Sequence, residues 1–199
     1  MLTADAAAVA RAAVVVKAGG VIAFPTDTVY GLACDLRDAA AVARVYALKG
    51  RPARMPLIAM LADAEVWPTV AAAASDTATA LMRRWWPGPL TLILPAGADI
   101  PALVLGGGTT IGVRIPDHPV ALALLRAAGR PLATTSANRS GAPAALTAQE
   151  AADQLGDAVD LILDAGPAPV GQASTILDCT TDPPKLLREG PVTRAMLGL

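Results

Sequence analysis

Short apolar runs alternate with helix-forming segments along the whole sequence, and this alternation limits the fold more than any other feature. The apolar runs are bounded by glycine, proline or polar residues, as strands usually are, and cover residues 20–24, 56–61, 90–94, 111–115, 131–135, 159–163, 174–179 and 185–188. Segments with apolar residues at helical spacing lie at 6–17, 39–48, 63–66, 75–86, 117–128, 147–155 and 191–199. This order predicts an α/β fold with a mixed sheet, formed by one domain over residues 1–199.

Helix ends carry the residues that commonly stabilise them. Asp5 and Asp38 precede the first two helical segments as N-cap residues, and Gly50 follows the second segment, where glycine often ends a helix. His118 is the only histidine and stands at the start of a later helix. We therefore interpret it as a cap or a surface residue in preference to a catalytic base.

Polar side chains follow two of the predicted strands. The strand at 20–24 runs into Thr26, Asp27 and Thr28, and the strand at 131–135 runs into the polar segment 136–141. Strand ends are where α/β proteins tend to place ligand contacts, which favours one cleft that holds both segments. A local polar turn is the alternative for residues 26–28, because such side chains commonly bond to nearby backbone.

Basic residues gather where the helix at 39–48 ends. Lys49, Arg51 and Arg54 are expected to emerge together from this helix end. Such cations bind phosphate or carboxylate groups, although a solvated basic loop is the alternative. Arg114 lies among apolar neighbours in a predicted strand, so its charge requires an anionic partner if it is buried. Residues 106–110 are glycines and threonines without the P-loop pattern, and they indicate a phosphate site only weakly.

Composition excludes several classes of protein. The net charge of −1 gives no general basis for nucleic-acid binding, and one Phe, two Tyr and three Trp are too few for a base-stacking surface. No apolar run approaches the roughly 18–20 residues of a membrane span, and no secretory signal is recognisable, so we expect a cytoplasmic protein. Cys34 and Cys179 lack metal-ligand spacing and are expected to be buried thiols.

The order of the motifs resembles the YrdC-like domain of threonylcarbamoyl-AMP synthases. The resemblance covers nearly the whole chain and is carried by residues 25–32, 49–52 with 56–58, 84–91, 112–116, 134–141, 174–178 and 187–190. Each motif is weak alone, but their joint order is highly specific. The resemblance implies a single YrdC-like domain, with a twisted mixed sheet and flanking helices around a large concave, positively lined cleft.

The resemblance also implies an activity. Members of this family join L-threonine, bicarbonate and ATP into threonylcarbamoyl-AMP and release pyrophosphate, which makes them nucleotidyltransferases that use Mg²⁺ with ATP. The product supplies the N6-threonylcarbamoyl group of adenosine 37 in tRNAs that read codons starting with A. A downstream tRNA threonylcarbamoyl transferase complex is the implied partner, and weak binding of RNA or tRNA remains open.

Site residues follow from the same motifs. The resemblance assigns threonine binding to Thr28, Arg114, Thr134 and Ser174. It assigns ATP binding to Arg51, Thr110, Ser136, Asn138 and Arg188, and catalysis to Lys49 and Arg51. A guanidinium is a suitable partner for the carboxylate of threonine, and several cations suit a triphosphate. No nucleophilic side chain is required, so we expect catalysis by orientation and charge stabilisation.

The sequence departs from the family pattern at three positions. Met55 and Met60 stand where the family often has Asn and His, and Ala144 stands where some members have a hydroxyl group. Contacts at these positions are expected to differ. The extra C-terminal domain of longer members is not recognisable. Two other functions are alternatives, a carbamoyltransferase domain that makes carbamoyl-adenylate and an RNA-binding or ribosome-associated module.

Overall fold

A computed structural model describes all 199 residues, and its centre is one mixed sheet of ten strands. The sheet order is β1-β8-β2-β3-β7-β4-β6-β5-β9-β10. The strands are β1 (Leu2–Thr3), β2 (Ile22–Phe24), β3 (Gly31–Asp35), β4 (Ile58–Met60), β5 (Leu90–Pro95), β6 (Thr110–Arg114), β7 (Leu132–Ser136), β8 (Leu161–Asp164), β9 (Thr175–Asp178) and β10 (Lys185–Arg188). Parallel and antiparallel neighbours are interspersed, which confirms the predicted mixed α/β class.

Helices cover both faces of this sheet. They are α1 (Ala6–Lys17), α2 (Ala39–Lys49), α3 (Asp76–Trp85), α4 (Pro119–Ala128), α5 (Ala148–Leu155) and α6 (Arg194–Leu197). One apolar cluster joins α1 and α4 to the sheet, and a larger one joins α2, α3 and α5 to the other face. None of these helices has the length and apolar character that crossing a membrane requires.

The predicted caps are confirmed in the helices that they begin or end. The side chains of Asp5 and Asp38 accept hydrogen bonds from backbone N–H groups in the first turns of α1 and α2. Gly50 ends α2 in the left-handed conformation, with φ of 59°, which glycine adopts without steric cost. His118 caps α4 by accepting a hydrogen bond from the backbone N–H of Val120 at 3.3 Å, as its interpretation as a cap predicts.

Several elements differ from the sequence interpretation. Strand β3 was not predicted: it lies wholly inside the sheet, so all of its residues are buried and no polar alternation marks it. Glycine, alanine and aspartate in it also favour strands only weakly. The helix expected at 63–66 is a 3-10 helix that extends over Ala64–Thr69, and the terminal helix is limited to Arg194–Leu197.

Strand β3 brings the two polar segments together. Its first residue, Gly31, pairs with Phe24 at the end of β2 and with Ser136 at the end of β7. Both strands therefore leave the sheet at the same place, where residues 26–28 begin one loop and residues 137–141 begin the other. The predicted meeting of the two segments is confirmed, and it depends on strand β3, which was not predicted.

Candidate active site

A cleft of about 250 Å³ opens at this end of the central strands. Its walls come from the loops after β2 and α2 and from strands β3, β4, β5, β6, β7, β9 and β10. Seven of the residues assigned from the resemblance line it, namely Thr28, Arg51, Arg114, Thr134, Ser136, Ser174 and Arg188. The three positions that depart from the family pattern, Met55, Met60 and Ala144, line it too. No aspartate or glutamate does.

The loop after β2 is a closed, buried turn. The hydroxyl of Thr26 donates a hydrogen bond to the carbonyl of Val29 at 2.6 Å and accepts from the backbone N–H groups of Thr28 and Val29. The local polar turn, which was the alternative for these residues, therefore exists. It also fixes a ligand-facing group, because the Thr28 hydroxyl lies 3.0 Å from that of Thr26 and lines the cleft.

Arg114 is the most enclosed cation of the cleft. It lies at the end of β6 and donates hydrogen bonds to the carbonyl of Gly88 at 2.9 Å, the hydroxyl of Thr28 at 2.9 Å and the carboxylate of Asp27 at 2.5 Å. Burial lowers the pKa of Arg114, the Asp27 carboxylate opposes this shift, and the charge of Arg188 adds to it. Arg114, whose charge was expected to require an anionic partner, thus has that partner within the chain, namely Asp27.

Arg51 and Arg188 line the cleft without an acidic partner. The Arg51 guanidinium donates to the carbonyls of Met55 at 3.1 Å and Pro56 at 2.9 Å. Arg188 donates to the carbonyl of Ser174 at 3.0 and 2.7 Å and to its hydroxyl at 3.3 Å. Partial burial lowers the pKa of both guanidinium groups. Because carbonyls carry no net charge, each side chain keeps its full positive charge toward the cleft.

Lys49 and Asn138 lie beneath the cleft and do not line it. The Lys49 ammonium donates to the carbonyl oxygens of Ser136 and Asn138 at 2.5 and 2.6 Å and to the Asn138 side chain at 3.2 Å. Burial lowers the pKa of Lys49 to about 7, and Arg51 adds to this shift. The expectation that Lys49 and Arg51 emerge together is therefore wrong, because their side chains diverge at the end of α2.

Asn138 fixes the loop that follows β7. Its amide nitrogen donates to the carbonyls of Arg139 and Ala142 at 2.8 Å, and its amide oxygen accepts from the Ser136 hydroxyl. Together with Lys49, it holds Ser136 in place from below. Lys49, which the resemblance assigns to catalysis, and Asn138, which it assigns to ATP binding, therefore contact the walls of the cleft and do not line it.

Thr110 also stands apart from the cleft. It begins β6 and, by the alternation of a strand, shares a sheet face with Gly112 and Arg114. A position four residues from Arg114 lies roughly 13 Å along the strand. Thr110 is half-buried at the far end of this face and does not line the cavity.

Three residues that shape the cleft were not assigned to a substrate from the sequence, although Thr26 and Asp27 belong to the polar segment that was expected at the cleft. Thr91 is fully buried in β5, lines the cleft, and lies 2.9 Å from the hydroxyl of Ser174. Thr26 closes the first turn, and Asp27 pairs with Arg114. Thr91 stands in an otherwise apolar strand, a pattern that could have marked it, whereas the pairing of Asp27 depends on contacts between distant segments.

The sequence that forms this cleft also matches the model of a known protein family. The model of the Sua5/YciO/YrdC family, described as telomere recombination, matches residues 14–190. The chain belongs to this family. The resemblance noted from the motifs is thereby confirmed.

Relatives within the Sua5/YciO/YrdC family support the same grouping. A threonylcarbamoyl-AMP synthase of Bacillus subtilis is 43% identical over 190 residues, which are 95% of this chain and 55% of the relative. The structure of Pyrococcus abyssi Sua5 complexed with L-threonine is 40% identical, with a TM-score of 0.92, over 94% of this chain and 55% of that one. The chain thus spans about half the length of these relatives.

A third member matches over nearly the full length of both chains. The crystal structure of Escherichia coli YciO is 32% identical, with a TM-score of 0.88, and the match covers 98% of this chain and 94% of that one. The twisted mixed sheet with flanking helices is therefore the fold of the Sua5/YciO/YrdC family.

Proposed function

We propose that this chain is a threonylcarbamoyl-AMP synthase domain that condenses L-threonine, bicarbonate and ATP into threonylcarbamoyl-AMP and pyrophosphate. The product would serve N6-threonylcarbamoyl modification of adenosine 37 in tRNAs that read codons starting with A, through a downstream transferase complex. The observation that carries the proposal is the convergence of Thr28, Arg114, Thr134 and Ser174 with Arg51 and Arg188 in one cleft. The 43% identity to the Bacillus subtilis synthase supports it.

The geometry suits the recognition of threonine at the Arg114 end of the cleft. A guanidinium has five N–H donors, and Arg114 uses three of them within the chain, so two are left for a carboxylate. The hydroxyl groups of Thr28, Thr134 and Ser174 surround this end and provide donors and acceptors for the amino and hydroxyl groups of the substrate. Pyrococcus abyssi Sua5, which shares this fold, has a structure complexed with L-threonine.

The reaction needs orientation and charge stabilisation. The amine of threonine and bicarbonate give a carbamate and water, and a carbamate oxygen then attacks the α-phosphorus of ATP. A bond forms between that oxygen and phosphorus while the bond to the β-phosphate bridge breaks, so the electron pair leaves with pyrophosphate. Arg51 and Arg188 offset the negative charge of the phosphates during this step. Alignment of two reactants can supply several kcal/mol of the barrier.

In the proposed reaction, Mg²⁺ is bound by the phosphates of ATP. No carboxylate lines the cleft, and the chain contains no group of three acidic, histidine or cysteine residues arranged to hold a metal. Mg²⁺ usually binds through phosphate oxygens with few protein ligands. It would therefore enter with ATP, where it neutralises phosphate charge, and the protein supplies the arginines around it.

The direct test is pyrophosphate release with each substrate omitted in turn. Purified protein is mixed with ATP, Mg²⁺, bicarbonate and L-threonine, and release is expected only when threonine and bicarbonate are both present. Release that depends on carbamoyl phosphate would indicate the carbamoyltransferase activity. Salt-sensitive RNA binding without turnover would indicate the RNA-binding module.

Arg114 requires a careful choice of variant for this test. Arg114→Ala would leave the Asp27 carboxylate buried without its cation, which typically costs about 3–5 kcal/mol of stability. The double variant D27N/R114M removes both charges and is the better probe of threonine recognition. It is expected to raise the threonine concentration needed for half-maximal rate at least tenfold, whereas unchanged threonine dependence would exclude Arg114 from the threonine site.

A further inference from the structure

The three arginines that line the cleft differ in their charge partners. Arg51 and Arg188 donate only to uncharged groups of the chain, so each presents a full positive charge. Arg114 alone forms an ion pair, with Asp27, and both side chains are almost fully buried, at 4% and 6% exposure. The cleft therefore has two cations free to bind a strongly charged anion and a third that is already neutralised.

We propose that Asp27 is the specificity-determining residue that reserves Arg114 for a carboxylate and excludes the polyphosphate chain of the nucleotide from that end of the cleft. The proposal rests on the proposed function, because it concerns two anionic substrates that share one cleft. Without the Asp27 carboxylate, a polyphosphate would compete with threonine for every arginine. With this carboxylate in place, threonine and the polyphosphate each have one end of the cleft at which binding is favourable.

The charge of Asp27 disfavours a polyphosphate at the Arg114 end of the cleft. A phosphate chain with several negative charges at Arg114 would approach a fixed carboxylate that is 2.5 Å from that guanidinium. Repulsion between such charges at a few ångströms is strong where water is excluded, and it grows with the charge of the ligand. A monoanionic carboxylate is repelled less and can still use hydrogen bonds to the two remaining N–H groups of Arg114.

Contacts within the chain hold Asp27 in place beside Arg114. Its backbone carbonyl accepts a hydrogen bond from the N–H of Val170 at 3.0 Å, which ties this residue to the segment between β8 and β9. One carboxylate oxygen bonds to Arg114, and the other is buried with no hydrogen-bond donor. No other donor spreads the negative charge, so it remains concentrated beside Arg114. The carboxylate does not line the cleft, so its role is that of a positioning residue.

Inorganic tripolyphosphate tests the proposal without any turnover. Wild-type protein is titrated with tripolyphosphate by calorimetry, with and without saturating L-threonine, and the two ligands are expected to bind together with affinities that change less than threefold. In D27N, tripolyphosphate is expected to bind at least tenfold more tightly and to displace L-threonine. D27E keeps the charge and is expected to behave like the wild type.

Two controls locate the effect. Asp157→Asn also removes one negative charge, from an exposed residue that makes no ion pair or side-chain hydrogen bond, and is expected to leave both affinities unchanged. In D27N/R114M the gain in tripolyphosphate affinity is expected to disappear, because the site that D27N opens is Arg114. A gain of the same size in D157N, or its persistence in D27N/R114M, would overturn the proposal.

The remaining outcomes are equally decisive. Competition between tripolyphosphate and L-threonine in the wild type, or equal tripolyphosphate affinity in wild type and D27N, would overturn the role of Asp27. If D27N does not fold, the wild-type competition and D27E decide the question. Absence of L-threonine binding in the wild type would refute the proposed function, while the tripolyphosphate titrations would still test Asp27.

Discussion

Lys49 gives the sharpest prediction, because two opposing effects act on one buried ammonium group. Burial disfavours the charged form, whereas three oxygen acceptors within 3.2 Å favour it. Burial dominates, and the pKa of Lys49 falls to about 7 from an ordinary value of 10.5. Between these two values the unfolded chain holds a proton that the folded protein releases. The free energy of unfolding therefore increases as the pH rises, because the cost of burying a charged Lys49 disappears.

The size of this effect follows from the linkage relation. Each pH unit over which one proton is released on folding changes the free energy of unfolding by about 1.4 kcal/mol. Between pH 7 and pH 9 the folded protein passes through its own titration, so the net gain is about 2 kcal/mol. Lys49→Met has no group that titrates there, and the wild type is expected to gain this amount of stability relative to K49M.

Urea unfolding of both proteins at pH 7 and pH 9 measures this difference. The comparison cancels other titrating groups, which the two proteins share. Lys17→Met is the matched control, because it removes a lysine side chain that is exposed at the end of α1. A wild-type advantage over K49M that stays constant or shrinks from pH 7 to pH 9 would show that the carbonyl oxygens keep the ammonium charged and that burial does not dominate.

Three further substitutions test the cleft and the strands that support it. Arg51→Met is expected to lower turnover more than tenfold with the fold retained, whereas Arg11→Met, on the exposed face of α1, should leave pyrophosphate release unchanged. Thr175→Val removes the hydroxyl that accepts from the N–H groups of Gly190 and Val192, so the free energy of unfolding in urea should fall by about 2 kcal/mol. An unchanged value would mean that water takes the place of the hydroxyl. Gly112→Ala places a Cβ 2.8 Å from the Ile58 side chain, so the unfolding free energy should fall by about 1–3 kcal/mol. An unchanged unfolding free energy would mean that β4 and β6 move apart without cost.

Local patterns were enough to predict most of the fold. Asp5 and Asp38 mark helix starts because capping is a contact between residues close in sequence, and the apolar runs mark strands because burial requires them. Strand β3 was missed for the same reason. It is central and buried on both faces, so only its pairing with β2 and β7 defines it, and that pairing joins residues far apart in the chain.

The candidate site was predictable in its residue types and less so in its contacts. Thr28, Arg114 and Ser174 line the cleft as the motifs imply. Lys49 stands two residues from Arg51 in the sequence, yet its ammonium turns inward to the carbonyls of Ser136 and Asn138 at the end of β7 and just beyond it. The motif identifies both cations, but the direction of each side chain is set by the acceptors that the folded chain offers. Their roles in catalysis and ATP binding stay predictions.

The cysteines have a practical consequence for studying this cleft. Cys34 and Cys179 are buried, and burial raises their pKa values to about 12 and about 11, so few thiolates form at neutral pH. Met55, in contrast, is 41% exposed and lines the cleft, and Arg51 and Tyr46 bond only to its backbone carbonyl. Met55→Cys therefore provides a single reactive thiol for a fluorophore, and a dye placed there would report the arrival and departure of ligands without removal of either native cysteine.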